Sequence, residues 1–330
     1  MTRDPIAVIP VAGVGTRLRP HTYTLPKVLL HVAGKPMLAH LLDDLITLGI
    51  RELVLIVGHL GERVQEYVRR EYPNLQVHFV EQAERLGLGH AVSLARPFAG
   101  DRPVLVVLGD TIFEADLGPV LASTTHRIGV KPVEDPRRFG IVETNGAGRV
   151  TMMVEKPERP ASNLAITGIY FFTHGEPLFR ALDEIQRRDI RTQGEFQLTD
   201  AMQLMLESGE AFTTFPVEGW FDCGRTETLL ETNRVLLGKQ GGQPVIAGSV
   251  VHPPVVVAPT AVIENCILGP NVSVAAGARL RNAGIRDSII NEDAVVEDIL
   301  VEGSVIGEEA VVRGHWMVLN VGSSSEVNIG

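Results

Sequence analysis

From Val250 onward the chain repeats. Val250, Val256, Val262, Leu268, Val274 and Leu280 recur every six residues, with small or short residues between them. Few folds accept that period. It suits a left-handed parallel β-helix, in which short strands form flat faces and each coil stacks on the one before. Past Leu280 the period slips. Ile290 and Val296 keep one phase, and Ile306, Val312 and Val318 keep another. The pattern predicts five or so coils over 245–318, with loops or a broken corner at the slips. Flat stacked coils leave wide faces, so a homo-oligomer is expected.

The chain ahead of the repeat follows other rules. Ile6 to Val11, Leu53 to Val57, Val77 to Val80 and Val104 to Leu108 are apolar runs that read as strands. Between them, Pro36 to Leu48 and Glu62 to Arg70 have helical spacing, the first stopped by Gly49. Strands apolar on both faces need cover on both faces. The expected fold class is therefore α/β: a Rossmann-like, mostly parallel sheet with helices on either side, followed by the β-helix. From about residue 125 the pattern is more mixed. Ile128 to Val133, Gly140 to Glu143, Val150 to Val154 and Ile166 to Phe172 read as strands. Pro177 to Arg187, Leu198 to Ser208 and Arg225 to Leu237 read as helices. Gly238 to Pro244 is glycine-rich and reads as a linker. The expected domains are 1–237, catalytic; 238–244, linker; 245–318, β-helix; and 319–330, a tail.

Charge narrows the function. The 330 residues carry a formal net charge of −10, which argues against coating nucleic acid or a membrane surface. Yet residues 1–35 hold Arg3, Arg17, Arg19, Lys27 and Lys35 against Asp4 alone, while 285–312 hold eight acids against Arg286. A basic pocket on an acidic protein suits a small anionic substrate. The two cysteines, Cys223 and Cys266, form no disulfide framework and have no metal spacing. No signal pattern or membrane-length apolar run is present, so a cytoplasmic setting is expected.

That pocket begins where the first strand ends. Gly13 and Gly15 bracket a tight turn whose backbone N–H groups can form an anion nest. Thr16 adds a hydroxyl; Arg17, Arg19 and Lys27 add fixed positive charge. The turn lacks the third glycine of a dinucleotide fingerprint and the Gly-Lys-Ser/Thr of a P-loop. Asp110 closes an apolar strand in Leu108-Gly109-Asp110. As a carboxylate at a strand's end it suits a hard cation, and equally the start of a turn. Asp222 can be read as a helix N-cap before Arg225.

The full string Gly13-Val14-Gly15-Thr16-Arg17-Leu18, through Pro20 and Thr22 to Pro26-Lys27 and Gly34-Lys35-Pro36-Met37, resembles the signature of sugar-1-phosphate nucleotidylyltransferases. The resemblance covers about residues 5–237 and is best to the long type of glucose-1-phosphate thymidylyltransferase, which carries a left-handed β-helix behind the catalytic domain. It implies in-line attack by a sugar 1-phosphate on the α-phosphate of a nucleoside triphosphate, with Mg2+. Arg17 and Lys27 would hold the triphosphate, in a nucleotide site with Ala12, Gly13, Gly15 and Thr16. Gln82 and Gly87, in Glu81-Gln82-Ala83-Glu84-Arg85-Leu86-Gly87, resemble the base-recognition segment. A glutamine amide offers a donor and an acceptor side by side, matching the edge of thymine or uracil. Glu155-Lys156-Pro157 resembles the family's EKP motif, so Glu155 and Lys156, with Gly140 and Ile166, would take the sugar phosphate. Asp222, in Trp220-Phe221-Asp222-Cys223-Gly224, resembles the second metal carboxylate after Asp110. Glu195, in Gly194-Glu195-Phe196-Gln197-Leu198-Thr199-Asp200, matches another stretch of the family, and capping of the next helix accounts for Thr199 and Asp200 equally well. Tyr170 reads more simply as core, Lys35 as a turn residue, and Arg19 as solvent-facing or structural. Cys223 has no histidine near it in sequence and no nucleophile is needed.

Two departures bear on the substrate. Ala12 stands where the family usually has glycine, and Ile9-Pro10-Val11-Ala12-Gly13 is similar to bacterial UDP-glucose pyrophosphorylases. Thr111 follows Asp110 where thymidylyltransferases commonly have asparagine. The reading is therefore dTTP with glucose 1-phosphate, with UTP as the alternative. From other classes, a sugar-phosphate acyltransferase would need His252 or His315 at a coil interface, and a non-catalytic sugar-nucleotide-binding homologue should have lost charged positions that this chain keeps.

Overall fold

A computed structural model of the chain describes residues 4–241 and 244–315, together with Val321, Ser324 and Glu326. Val318, Gly242, Gln243 and most of the expected tail lie outside the described residues. The chain forms two compact units. The first runs to Leu30 and resumes over Lys35–Leu229; the second combines His31–Gly34 with the chain from Leu230.

The first unit is built on a nine-stranded sheet. Seven strands lie in the order Val150–Glu155, Gly140–Thr144, Leu164–Phe172, Val104–Val107, Ile6–Pro10, Glu52–Val57 and Gln76–Glu81. His126–Pro132 also pairs with Leu164–Phe172, and Phe212–Pro216 lies beyond it. The Val104, Ile6, Glu52 and Gln76 strands are mutually parallel; Leu164–Phe172 runs against its neighbours. Alternation explains the all-apolar runs. Ile6, Val8, Val54, Ile56, Val104 and Val106 face one core. Ala7, Ile9, Leu53, Leu55, Leu105 and Val107 face the other. Helices Met37–Thr47 and Gly61–Glu71 fill the second core with Leu38, Leu42, Leu45, Val64 and Val68. Helices Glu176–Arg187 and Leu198–Glu207 fill the first with Leu178, Leu182, Ile185, Ala201 and Met205.

Local chemistry sets the element ends. Gly49, at φ +83°, closes the Met37–Thr47 helix: its N–H reaches Ile46 O and that of Ile50 reaches Leu45 O. The register of Leu164–Phe172 shifts between Ile166 and Tyr170. Gly168 sits in that interruption at φ +92°, its carbonyl accepting from Leu108 N at 3.0 Å. The irregular stretch bends the long strand beside the end of the Val104 strand. Outside the sheet, Thr111–Glu114 and Gly219–Asp222 form an antiparallel ribbon.

Helix Thr226–Gln240 extends three residues into the stretch expected as linker. One glycine costs a helix only about 1 kcal/mol, and Gly238 is followed by Gln240, whose amide donates to Ala33 O at 2.9 Å. In the second unit, three parallel sheets of four strands each wind four coils among the described residues. The coils are shorter than three hexads. Val250 pairs with Ile267, seventeen residues on, and Gly284 with Leu300, sixteen on. The stacked inner positions are Val251, Leu268, Ile285 and Val301 on one face; Val257, Val274, Ile290 and Ile306 on the next; and Ile263, Leu280, Val296 and Val312 on the third. The first three aliphatics of the apparent repeat are thus one residue out of phase. Val250 and Val262 are 52% and 49% exposed, and Val256 pairs with Ser273.

The acidic run has a structural account. Asp287, Asp293 and Asp298 turn corners at positive φ, where short polar side chains are favoured. Glu297 pairs with Arg281 and Arg313, and Glu302 with Arg286. Asn233 is a buried hub of this unit. Its Oδ1 accepts from Ala33 N (2.8 Å) and Ser273 Oγ (2.6 Å), and its Nδ2 donates to Asn271 O (3.1 Å). Among the described residues, no helix is long and apolar enough to cross a membrane.

Candidate active site

The cleft of the first unit opens where parallel strands end, the usual place for a ligand in an α/β sheet. Gly15 is at φ +66°, and a Cβ there would stand 3.0 Å from Thr22 Cγ2 and 3.1 Å from Lys27 Cβ. Only glycine lets the turn close on Lys27 in this way. Thr22 Oγ1 donates to Gly15 O at 2.8 Å and clamps the turn. Lys27 is only 6% exposed, and its Nζ donates to Asp110 Oδ2 at 2.8 Å. A buried ammonium needs such a partner.

Asp110 follows the Val104–Val107 strand and precedes the ribbon. Across the ribbon, Asp222 is the register partner of Thr111. A Cβ on Gly224 would lie 2.8 Å from both Arg17 Nη2 and Asp222 Oδ1, so glycine leaves room for a cation and a carboxylate to share one corner.

Two cavities meet here. One, of about 320 Å³, is lined by Ala12, Gly13, Lys27, Gln82, Gly87 and Asp110 among others. The second, of about 230 Å³, is lined by Asp110, Asp222, Gly140, Glu155, Ile166 and Thr199 among others. Leu88, Leu108 and Asp110 belong to both walls. Of the residues expected from sequence, Gly15, Thr16, Arg17 and Lys156 line neither. Gly15 supports Lys27 from behind. Lys156 turns at φ +44° with its Nζ 3.5 Å from Glu155 Oε1.

Several expectations change. Thr199 does not cap the Leu198–Glu207 helix; its hydroxyl donates to Glu155 Oε2 at 2.8 Å. Asp200 accepts from Thr192 Oγ1 instead, and burial raises its pKa. Glycine at 140 is needed because a Cβ would lie 2.9 Å from both Glu155 Oε2 and Thr199 Oγ1. Tyr170 packs in the core, as its sequence context suggests, but it also lines the second cavity. Burial and the nearby Glu155 charge push its phenol well above its usual range. Ala12 has its methyl beside Gly58, where a Cβ would come within 2.9 Å of it. Gln82 does not present a donor and an acceptor together: its Nε2 faces Gly87 O (3.1 Å) and His90 Nδ1 (3.2 Å). Lys35 pairs with Asp43, and Arg19 lies over the Tyr23 ring. Cys223 is buried.

The stretch Gly194 to Asp200, matched to the family from sequence without a role, brings Glu195 to the wall of the first cavity. Phe196 N donates to Leu86 O at 2.8 Å, and Gly89 N to Phe196 O at 2.8 Å. These bonds seat Glu195 beside Gly87, where a Cβ would lie 2.6 Å from Phe196 O. No local signal joins segments so far apart in the chain.

Two carboxylates on one wall are a donor set for a hard divalent cation, which completes its shell with water and phosphate oxygen. The cluster His126, His174 and Glu210 is a poorer candidate. His126 Nδ1 accepts from Thr173 N at 3.1 Å. Its proton is therefore on Nε2, which donates to Glu210 Oε2 at 3.1 Å and has no lone pair for a metal.

The nucleotidyl transferase family matches residues 6–239, through every feature of this cleft. The chain belongs to that family, as a sugar-1-phosphate nucleotidylyltransferase. Its relatives differ in base. It is 37% identical to the low-salt glycan biosynthesis nucleotidyltransferase Agl11 of Haloferax volcanii, over 68% of this chain and 64% of that one. It is 35% identical to the UTP–glucose-1-phosphate uridylyltransferase AglF of the same organism, over 67% and 92%. With a glucose-1-phosphate thymidylyltransferase of Streptomyces antibioticus the identity is 31%, over 98% and 99%. A Bacillus anthracis structure assigned as a glucose-1-phosphate thymidylyltransferase superposes with a TM-score of 0.62 at 26% identity, over 73% of this chain and 98% of that one. Enzymes of this family typically use a divalent metal, which the carboxylate pair fits.

Proposed function

We propose that this chain transfers a thymidylyl group from dTTP to glucose 1-phosphate, with magnesium, releasing pyrophosphate. The observation that carries this reading is the meeting of two cavities at Asp110: one has the glycine turn, Lys27 and Gln82, the other Glu155 and Asp222. The substrates are both anions, and the reacting phosphate oxygen is already ionised. The protein's work is to align them and to offset charge.

In this reading the sugar-phosphate oxygen bonds to the α-phosphorus. The bond from that phosphorus to the bridging oxygen breaks, and its electron pair leaves with pyrophosphate. Ala12, Gly13, Gly15 and Thr16 shape the phosphate side of the nucleotide site. Lys27, and Arg17 on movement of its exposed side chain, hold the triphosphate. Gln82 and Gly87 meet the base. Gly140, Glu155, Lys156 and Ile166 receive the sugar phosphate. Asp110 and Asp222 would hold the magnesium, which offsets phosphate charge.

UTP is a second reading. It is favoured by Ala12, and a thymine methyl is one carbon, worth only about 1 kcal/mol of burial. We also propose a cytoplasmic homo-oligomer, with a catalytic domain ahead of a β-helix that mediates assembly.

The test is pyrophosphate release from dTTP, UTP, GTP, ATP and CTP, each with glucose, galactose, mannose or N-acetylglucosamine 1-phosphate. Release with dTTP and glucose 1-phosphate far above the rest is expected. Preference for UTP would select the second reading, and silence with every pair would remove both.

A further inference from the structure

We propose that His90 is a positioning residue that sets the polarity of the Gln82 amide, and so makes the nucleotide cavity select pyrimidines that carry a ring N–H, at N3, on their pairing edge. The proposal rests on the reading of Gln82 as the base contact, and holds for dTTP and UTP alike.

Proton bookkeeping carries it. Gly87 O can only accept, so the group facing it at 3.1 Å must be the amide nitrogen of Gln82. That fixes which end of the amide is which, a choice that atom positions alone leave open. The same nitrogen lies 3.2 Å from His90 Nδ1. With one hydrogen donated to Gly87 O, the other goes to Nδ1. His90 must then be the neutral tautomer that carries its proton on Nε2. Both amide hydrogens are used, and Oε1 has no protein donor among the described residues. It is not sealed away: it keeps some accessible surface. Gln82 stands between the 320 Å³ cavity and a second pocket lined by Gly58, His59 and Arg69; in this proposal Oε1 serves the former, as a bare acceptor.

A bare acceptor has a defined preference. Uracil and thymine carry N3–H and donate to it. Cytosine in the same pose presents a lone pair at N3, which meets the lone pairs of Oε1, and its N4–H donor lies to one side. A site built for an N–H rejects the analogue that lacks it much more strongly than a pocket rejects a methyl group. This accounts for a cavity that separates pyrimidines by hydrogen bonding while reading the thymine methyl weakly. His90 needs no contact with the base. It stands on the Leu88–Ser93 helix, behind the amide, and acts through Gln82.

The experiment compares wild type with His90→Ala and His90→Asn in kcat/KM for UTP and dTTP over CTP, and in calorimetric binding of the three triphosphates without sugar phosphate. Asparagine can put an acceptor oxygen near the place of Nδ1. The expected result is strong discrimination in wild type, a fall of roughly tenfold in His90→Ala for one lost hydrogen bond, and recovery in His90→Asn. Packing alone would not give that order. Discrimination unchanged in His90→Ala, or lost equally in both variants with melting temperatures intact, would overturn the role of His90. A wild type that binds no pyrimidine triphosphate fails differently: it removes the reading of the cavity itself, and the proposal with it.

Discussion

Asp222 stands directly across the ribbon from Thr111, the residue after Asp110. Two carboxylates 112 positions apart in sequence are therefore neighbours through one antiparallel pair. Asp110 also engages Lys27 through Oδ2, while its Oδ1, 3.4 Å from the Thr111 hydroxyl, keeps a lone pair for a cation. Asp110→Asn and Asp222→Asn should each lower turnover roughly a hundredfold at fixed magnesium, with an unchanged circular dichroism spectrum. Near wild-type pyrophosphate release in both would remove the metal site.

Gly140 gives a second prediction. An added methyl would press on the Glu155 carboxylate and the Thr199 hydroxyl together. Overpacking of this kind costs about 1–3 kcal/mol, and in the proposed assignment it falls on the sugar side. Gly140→Ala should raise KM for the sugar phosphate about tenfold or more while leaving KM for the nucleotide nearly unchanged. Thr199→Val, which removes the 2.8 Å bond to Glu155, should shift the same constant in the same direction. Steady-state kinetics with each substrate varied in turn separates the two sides; a change confined to the nucleotide would count against the assignment.

Much of this was legible in the sequence, and the rest has identifiable reasons. The strand at Ile6 and the helix at Met37 announce themselves by apolar spacing and by glycines at their ends. The phase of the coils does not. Val250 and Val251, Val256 and Val257, and Val262 and Ile263 are adjacent aliphatics, so a period of six fits either member of each pair. Register decides, and Val251, Val257 and Ile263 prove to be the stacked ones. In the cleft, residue types pointed to Lys27, Gln82, Asp110 and Glu155, but their bonds were out of reach. Thr199 sits at a helix start, where a cap is the local expectation. Its actual partner is 44 residues away and is supplied by the tertiary fold.

Acid should weaken the protein through its histidines. Burial holds the pKa of His126 below its usual value, against the opposing pull of Glu210, and burial lowers that of His21 as well. Both stay neutral in the fold at a pH where the unfolded chain takes up protons. Their contribution is therefore whole above about pH 6.5, the unfolded value, and is lost as pH falls below it. Melting temperature should be flat between pH 8 and 7 and decline from about 6.5 downward. His126→Asn keeps an acceptor for Thr173 N and removes one titrating group, so its melting curve should start lower and fall less steeply. An equal slope in wild type and variant would assign the acid sensitivity elsewhere.

Asn233 offers a test of the second unit. Three of the four places on its amide are filled, with Oδ1 taking two hydrogens and Nδ2 giving one to Asn271 O. Asn233→Asp turns that donor into a second acceptor facing a carbonyl. Leaving buried groups so mismatched costs about 1–3 kcal/mol or more. Thermal unfolding should show a clear loss of stability in Asn233→Asp; full stability would mean that the hub is dispensable.

The second unit owns four residues, His31–Gly34, that the chain lays down some two hundred positions before the remainder. Recombination that trades carboxyl-terminal modules at the glycine-rich stretch after Gln240 would carry away the coils and leave those four behind. Ala33 N would keep Asn233, but the hub would lose Ser273 and Asn271, and Gly34, shaped to lie 3.0 Å from Val256 Cγ1 at its missing Cβ, would face nothing. Any replacement module must therefore have been fitted to a tetrapeptide it did not bring. Inheritance of the coils should track inheritance of the segment between Leu30 and Lys35, and a tail exchanged without that segment is a graft with a mismatched stub.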